Sequence, residues 1–160
     1  MAAAGMAAKT HVVGGKKLSI ALKAIEQKIT NNGVLRVGFL ESETYPAGAN
    51  GDVLSVAQVA FWNEFGTRTA PARPAFRAMI AQESKDWGAK IGKAIIAMNY
   101  DGEKALRLLG QDIRDDLENE IATWDAPPNA PATIAKKGFD APLKDTGQMQ
   151  RAPDFEITKP

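Results

Sequence analysis

The sequence predicts an α+β fold in which several helices, two of them long, pack on a small, mostly antiparallel sheet. Apolar residues recur at helical spacing from Phe76 to Met98, and again in the stretch that ends at Trp124. Between Val34 and Leu40 the period changes to two, which is typical of a half-buried strand. An extended arm would join two of the helices, and an irregular C-terminal segment would follow the last long one.

Length and composition indicate one domain. We expect a flexible N-terminus at 1–15, an α+β core domain at 16–124 and an irregular C-terminal arm at 125–160 that becomes ordered on assembly. The 20 basic and 19 acidic residues leave a net charge of +1, so no overall field favours DNA or an anionic membrane. The chain has no cysteine, which excludes disulfides and thiolate metal sites. We expect neither a signal peptide nor a membrane span.

The first helix is predicted from Lys16, because four apolar residues fall on one helical face: Leu18, Leu22, Ile25 and Ile29. The run Asn31-Asn32-Gly33 should end this helix, and the strand follows. Proline and glycine between residues 41 and 51 predict a loop. Asp52 is then expected to cap the helix that leads into the arm.

Proline, glycine and aspartate mark the bounds of the two long helices. Pro74 suits the first turn of one of them, where its missing N–H is no loss. Gly88 and Gly92 lie inside that helix and are expected to mark close packing against a neighbouring element. Asp101 is expected to cap the other long helix. The apolar face of that helix carries Leu109, Ile113, Leu117, Ile121 and Trp124.

The C-terminal segment is rich in proline but contains three predicted elements. A two-turn helix is expected at 131–137, ended by Gly138. The tripeptide Asp145-Thr146-Gly147 is expected to form a turn or cap that opens another short helix. Phe155 and Ile157 alternate as in a strand and are expected to pair with the strand at 34–40.

The arm, residues 66–74, is the stretch with the strongest local signals. Gly66 should end one helix, Pro71 should hold the preceding residue out of the α region, and Pro74 should begin the next helix. The arm is therefore expected to be stiff and extended, and to carry Arg68 and Arg73. Before it, Phe61 and Trp62 point about 100° apart on a helix, so one of them should lie near a contact surface.

No group of residues predicts catalysis, a cofactor or a metal site. His11 is the only histidine, and without cysteines it cannot form a typical zinc site. Asp145-Thr146-Gly147 matches the tripeptide of aspartic proteases, but that chemistry needs two such loops or a homodimer, each loop after an apolar strand. A helix-cap turn is the preferred interpretation. We therefore expect a protein that is not an enzyme.

The basic residues allow three interpretations. Arg68, Arg73 and Arg77 lie on or beside the arm, and three lysines lie in the C-terminal segment: Lys136, Lys137 and Lys144. They could contact nucleic-acid phosphates, pair with carboxylates across a protein interface, or be ordinary surface charge. The neutral overall charge and the position of the arm favour the protein interface.

Two blocks of the sequence resemble the tail-completion, or neck, proteins of tailed bacteriophages. The first block is Glu64-Phe65-Gly66-Thr67, followed by Pro71-Ala72-Arg73-Pro74 and Phe76-Arg77. The second block is Pro127-Pro128-Asn129, then Thr133-Ile134-Ala135-Lys136-Lys137-Gly138, Pro142-Leu143 and Asp145-Thr146-Gly147. Beyond the second block the chain departs from the family pattern, because Pro153 interrupts the expected closing strand.

The resemblance implies a non-enzymatic virion protein without cofactors, made in the host cytoplasm and located in the neck. It would form a ring, expected to be a hexamer, and bind head connector or portal-side proteins and tail tube or tail terminator proteins. Non-specific contact of the ring with DNA in the channel stays open as an intermediate alternative, and no membrane contact is expected. The alternative is a DNA-binding module that uses the arginine-bearing arm. The residues expected at a subunit or partner interface are Phe61, Trp62, Phe65, Arg68, Arg73, Phe76, Arg77, Thr133, Lys136, Lys137 and Asp145.

Overall fold

The computed structural model describes residues 14–30, 33–40, 43–47 and 51–159, and it confirms the α+β prediction within them. The two long helices, α3 (Ala75–Ala97) and α4 (Gly102–Thr123), have 23 and 22 residues. Most of the N-terminus predicted to be flexible, including His11, lies outside the described residues. In the described part, no helix combines the length and the apolar character needed to cross a membrane. In chain order the elements are α1 (Gly15–Thr30), β1 (Val34–Phe39), α2 (Val56–Phe65), α3 (Ala75–Ala97), α4 (Gly102–Thr123), α5 (Pro131–Lys137), α6 (Gln148–Arg151) and β2 (Pro153–Thr158).

The core lies between α3, α4 and the segments that pack on them, which include α2 and α6. Helix α4 turns its predicted stripe inward, so that Ile113, Leu117 and Ile121 are buried. Helix α3 contributes Met79, and α2 contributes Val56, which is fully buried at its first residue. The two long helices supply most of the packing contacts of the core, and the other elements pack against them.

The sheet has two strands among the described residues, and it confirms the predicted pairing. β1 and β2 are antiparallel, with Val34 opposite Thr158 and Phe39 opposite Pro153. Pro153 is the first residue of β2, a position where a missing N–H is tolerated. It therefore begins the strand and does not interrupt it. The sheet packs on α4.

The C-terminal segment is part of the same core, which differs from the expected boundary at residue 124. Met149 and Ala152 are each only 6% exposed and lie in the cluster with Leu117 and Ile121. β2 is hydrogen-bonded to β1, which precedes every other core element. Some of the few apolar residues of this segment, such as Met149 and Ala152, are buried. The segment also contains α5, α6 and β2, so it is more regular than its composition predicts.

The caps explain where several helices begin and end. The Asp101 carboxylate accepts a hydrogen bond from the Lys104 amide at 3.2 Å, as predicted for the start of α4. Gly138 takes the left-handed conformation and ends α5, again as predicted. The prediction for α2 is wrong, because Ser55 caps it through the Gln58 amide at 3.1 Å. A β-bridge between Thr44 and Ser55 accompanies this later start.

Helix α1 forms where predicted, but its apolar stripe is largely uncovered. Leu18 is 61% exposed and Leu22 is 56% exposed. The helix packs on the rest of the molecule mainly through α4, and Ile25 is half-buried. The first half of α1 therefore presents apolar side chains to solvent.

The glycines in the long helices do not behave as predicted. A Cβ added at Gly88 or Gly92 would meet nothing within 4 Å, so neither marks close packing. The close approach occurs at Gly110 of α4, where a Cβ would lie 2.6 Å from the Phe155 ring and 2.9 Å from Leu35. Gly110 is thus the position at which the sheet packs most closely against α4.

Gly110→Ala is expected to lower the free energy of unfolding by about 1–2 kcal/mol, because overpacking outweighs the gain in helix propensity. Gly88→Ala, also in a long helix but facing open space, is the matched control and should raise it by up to about 1 kcal/mol. Urea denaturation of both variants measures the difference. If Gly110→Ala were as stabilising as Gly88→Ala, the close packing of β2 on α4 would be contradicted.

Candidate interaction site

The arm begins with a tight turn and is not extended throughout, which corrects the prediction. The Thr67 amide donates to the Ala70 carbonyl at 2.9 Å, and the Thr67 hydroxyl accepts from the Ala70 amide at 3.0 Å. Gly66 has φ +76°, and a Cβ there would lie 2.9 Å from the Ala72 nitrogen. The threonine hydroxyl supplies a local acceptor that closes the chain. Residues 71–74 then lead into α3 without regular secondary structure, and the Ala75 amide donates to the Arg73 carbonyl at 2.9 Å.

Glu64 at the end of α2 caps the start of α3. Its carboxylate accepts hydrogen bonds from the amides of Phe76 at 3.0 Å and Arg77 at 3.1 Å. The Arg77 guanidinium adds a salt bridge to the same carboxylate at 2.8 Å, and the Glu64 side chain is only 12% exposed. Pro74, the N-cap residue of α3, offers no side-chain cap. A distant carboxylate thus satisfies the first amides of this helix.

Arg73 points inward and binds the C-terminal segment. Its Nε donates to the Pro127 carbonyl at 3.1 Å, and its Nη2 donates to the Pro128 carbonyl at 3.1 Å. Nη2 also lies 3.4 Å from the amide oxygen of Asn129. Arg73 is only 9% exposed. The expectation that it projects toward a carboxylate of another subunit is wrong for this conformation, since the planar guanidinium fits carbonyl oxygens of its own chain.

Lys137 holds the end of the second sequence block in a similar way. Its ammonium group donates to the Ala141 carbonyl at 2.8 Å and to the Lys144 carbonyl. The same group lies 4.9 Å from the centre of the Phe139 ring. Leu143, in the loop that Lys137 binds, has φ +62°, an uncommon conformation for a branched side chain. Lys137 therefore stabilises a loop and is not a free surface charge.

Three aromatic residues of α2 lie at the surface beside the arm. Phe61 is 59% exposed and Phe65 is 57% exposed, with their ring centres 4.6 Å apart. Arg77 lies over the Phe65 ring at 4.9 Å. Trp62 is 38% exposed, as expected for a residue near an edge. Large apolar side chains grouped at a surface are typical of a protein contact.

An open groove with a volume of about 320 Å³ lies beside these aromatics. Its lining is mostly apolar and comes from the end of β1, α2, Arg73 of the arm, the start of α3, α4, the loop before α6 and α6 itself. The charged groups in it, Glu64, Arg73 and Arg77, make hydrogen bonds within the chain. Five of the predicted interface residues line this groove together: Phe61, Phe65, Arg73, Phe76 and Arg77.

The other predicted residues lie outside the groove lining. Arg68 is exposed in the turn of the arm, and Thr133 and Lys136 are exposed on α5. Asp145 is exposed two residues after Leu143, which lines the groove. The structure therefore brings the aromatic block together and leaves these four as separate surface groups. Glu64 is the structurally important residue that sequence reasoning missed, although α3 begins without a capping side chain and needs such an acceptor.

The Asp145 carboxylate affects the pKa of Tyr45, which lies in the short segment that precedes α2. Burial raises the pKa of the Tyr45 hydroxyl above its ordinary value of 10.0, and the negative charge of Asp145 raises the pKa further. The Gln148 side chain donates to the Thr44 carbonyl at 2.6 Å, which holds the two segments together. The negative charge of Asp145 thus affects the pKa of Tyr45, which lies in the segment before α2.

Asp145→Asn is expected to lower the pKa of Tyr45, because burial alone then raises it. Since the folded pKa lies above the unfolded value, the neutral phenol adds stability that is complete below about pH 10 and is lost as the pH rises through the folded pKa. Ultraviolet titration in a Tyr100→Phe background isolates Tyr45, with Asp86→Asn on α3 as the control. A titration midpoint unchanged by Asp145→Asn would contradict this coupling.

The described residues contain no group of three or more histidine, cysteine, aspartate or glutamate side chains arranged to hold a metal ion. Comparisons with protein-family models, with curated proteins and with solved structures found no match to this chain. The chemistry of the groove is therefore the main guide to function. It combines exposed aromatics with charged groups that are already paired, which suits binding of an apolar protein surface better than binding of a small polar ligand.

Proposed function

We propose that this chain is a structural protein of the neck of a tailed bacteriophage, where it forms a ring that completes the tail and joins it to the head connector. One observation carries the proposal. The two sequence blocks that resemble neck proteins meet in space, because Arg73 of the first block binds the Pro127 and Pro128 carbonyls of the second. Blocks separated by more than fifty residues thus form one structural unit.

The exposed aromatics support a role in assembly. Phe61 and Phe65 stand at the rim of an apolar groove, and large aromatics are enriched at protein interfaces. In this proposal they contact a neighbouring subunit, while Arg73 and Arg77 hold the contact surface rigid from within. A surface that is already ordered loses little conformational entropy on docking. In the same proposal Arg68, the exposed arginine of the arm, contacts a subunit or a connector protein.

Labelling of virions with an antibody against this chain tests the proposal directly. We expect electron microscopy of particles produced from the encoding genome to place the label at the junction of head and tail. Native mass spectrometry with head and tail components should then show the chain in complex with one of them. Virions that lack the chain, or carry it only at the tail tip, would overturn the proposal.

The alternative, a DNA-binding module, would depend on a smaller set of residues than the sequence indicates. Arg73, Arg77 and Lys137 use their donors within the chain, whereas Arg68 and Lys136 are exposed. Binding through two cations would be weak and would fall with added salt. Gel shifts with duplex DNA at low salt, comparing the native chain with Arg68→Ala, distinguish this alternative from a protein contact.

A further inference from the structure

Strand β1 has one edge whose backbone groups are unpaired. In an antiparallel pair, successive residues turn their amide and carbonyl groups alternately toward the partner strand and away from it. The Val34 carbonyl accepts from the Thr158 hydroxyl at 3.5 Å, and a Cβ added at Gly33 would meet the Thr158 carbonyl oxygen, so Val34 and Thr158 face each other. The register therefore turns three residues of β1 outward: Leu35, Val37 and Phe39. Their amides and carbonyls form no hydrogen bond within the part of the chain that the structure describes.

The outer edge of β1 is accessible and carries no protecting group. Gly38 and Phe39, at its end, line the open groove beside α2, so α2 does not close the edge. Val34, at its beginning, is 54% exposed. Arg36, the charged residue of β1, pairs with the Glu156 carboxylate of β2 at 3.4 Å. The edge thus lacks the proline or unpaired charge that commonly protects an edge strand from further pairing.

The outer edge of β2 is protected. The residues of β2 that point outward are Pro153, Phe155 and Ile157. Pro153 has no amide hydrogen, and the Phe155 amide donates to the Asp154 carboxylate at 2.8 Å. Only the Ile157 amide is left to pair with a further strand, and the charge of Asp154 lies beside it. The sheet therefore has one edge closed to a further strand and one edge open to it.

We propose that β1 pairs with the β1 strand of a second copy, in antiparallel orientation. Amide and carbonyl groups spaced along a strand edge are matched by another extended chain, so the occupant of the edge is a strand. The result is a four-stranded sheet with the two β2 strands at its ends. Because the β2 edges are protected, the contact closes with two copies and does not continue. It goes beyond the proposed ring and does not rest on it.

The side chains of β1 suit pairing with a second copy. Two-fold symmetry about Val37 places Val37 opposite the same residue of the second copy, and Leu35 opposite its Phe39. These three side chains all pack toward the core, so the pairing extends one apolar face. On the other face Arg36 lies opposite Gly38 of the second copy, and no like charges oppose each other directly. The strand is therefore complementary to itself.

Hydrogen exchange of the native chain tests the pairing without a substitution. The Val37 amide should exchange at least about tenfold more slowly at high than at low protein concentration, because the pairing gives it an acceptor. The Ile157 amide is the matched control, since it also points outward but lies on β2. Its rate should change less than about twofold.

Disulfide formation supplies a second test, and the absence of native cysteine makes it specific. The two Val37 residues would form a hydrogen-bonded pair with Cα atoms about 5.5 Å apart, within the range of a disulfide. Val37→Cys should therefore give a covalent dimer under mild oxidation. Ile157→Cys is the control, because about three strand spacings, roughly 14 Å or more, separate residue 157 of the two copies. It should give at least about fivefold less dimer.

Proline substitution supplies the third test. Val37→Pro removes one outward amide and leaves the β1–β2 hydrogen bonds in place, and Ile157→Pro does the same on β2. Sedimentation equilibrium should show a dissociation constant at least about tenfold weaker for Val37→Pro and less than about twofold changed for Ile157→Pro. If either proline variant fails to fold, the exchange rates of the native chain decide.

Three results would overturn the inference. They are a chain that stays monomeric at sub-millimolar concentration, equal concentration dependence of exchange at Val37 and Ile157, and no more covalent dimer from Val37→Cys than from Ile157→Cys. Each of them would leave the proposed function in place. A chain absent from virions would reject the function, while the covalent dimer of Val37→Cys would still establish the pairing.

Discussion

Replacement of Arg73 by alanine is expected to lower the free energy of unfolding by about 3 kcal/mol. The guanidinium is nearly buried and is the donor for the Pro127 and Pro128 carbonyls. Its loss would remove two charge-assisted hydrogen bonds and leave those partly buried carbonyls without these partners. Urea denaturation followed by fluorescence of the three tryptophans measures the change.

Arg68→Ala is the matched control for Arg73→Ala, because Arg68 lies in the same arm and is exposed. It should leave the unfolding midpoint unchanged. Arg73→Lys should recover only part of the lost stability, since one ammonium group cannot reproduce the planar geometry of two separated donors. If Arg73→Ala were as stable as Arg68→Ala, the arm would not be anchored to the C-terminal segment as described.

Glu64→Gln is expected to lower the free energy of unfolding by about 2–3 kcal/mol. The carboxylate receives hydrogen bonds from the Phe76 and Arg77 amides and from the Arg77 guanidinium, and the side chain is largely buried. The amide group of glutamine turns one acceptor into a donor facing other donors. It also removes the negative charge from the N-terminus of a 23-residue helix. Thermal unfolding followed by circular dichroism measures the loss.

Glu103→Gln provides the comparison for Glu64→Gln. Glu103 also pairs with an arginine, Arg107 at 2.7 Å, but both side chains of that pair are more than half exposed. Its effect should be within about 0.5 kcal/mol, as for other surface ion pairs. Equal effects of the two substitutions would mean that Glu64 contributes only a surface salt bridge and does not cap α3.

The elements were predictable because their signals are local. Asp101 as a cap and Gly138 as a left-handed stop depend on backbone groups within a few residues. The two strands, β1 and β2, follow from alternation within each segment. Periodicity likewise predicts which face of α4 is buried. In each case the residues that determine the element lie within a short stretch of the sequence.

The candidate site was less predictable because its contacts join distant segments. Arg73 has the same charge as Arg68, and only the carbonyls that lie 54 and 55 residues farther along make it an internal residue. Glu64 becomes a cap only once α2 and α3 meet across the arm. Gly88 and Gly110 both lie inside long helices, and the path of the sheet, through Phe155 and Leu35, decides which one packs closely. The exposure of Leu18 and Leu22 on α1 likewise depends on which distant segments pack against that helix.

The pairing of β1 with β2 has a consequence for biosynthesis. Val34 and Thr158 are 124 residues apart, so the sheet closes a loop that contains most of the fold. Local helices form in microseconds, whereas such a distant pairing waits for loop closure. During translation, Leu35 and the Gly110 face of α4 stay open until β2 leaves the ribosome. The native fold, and any surface that depends on it, is therefore complete only after β2 has been synthesised.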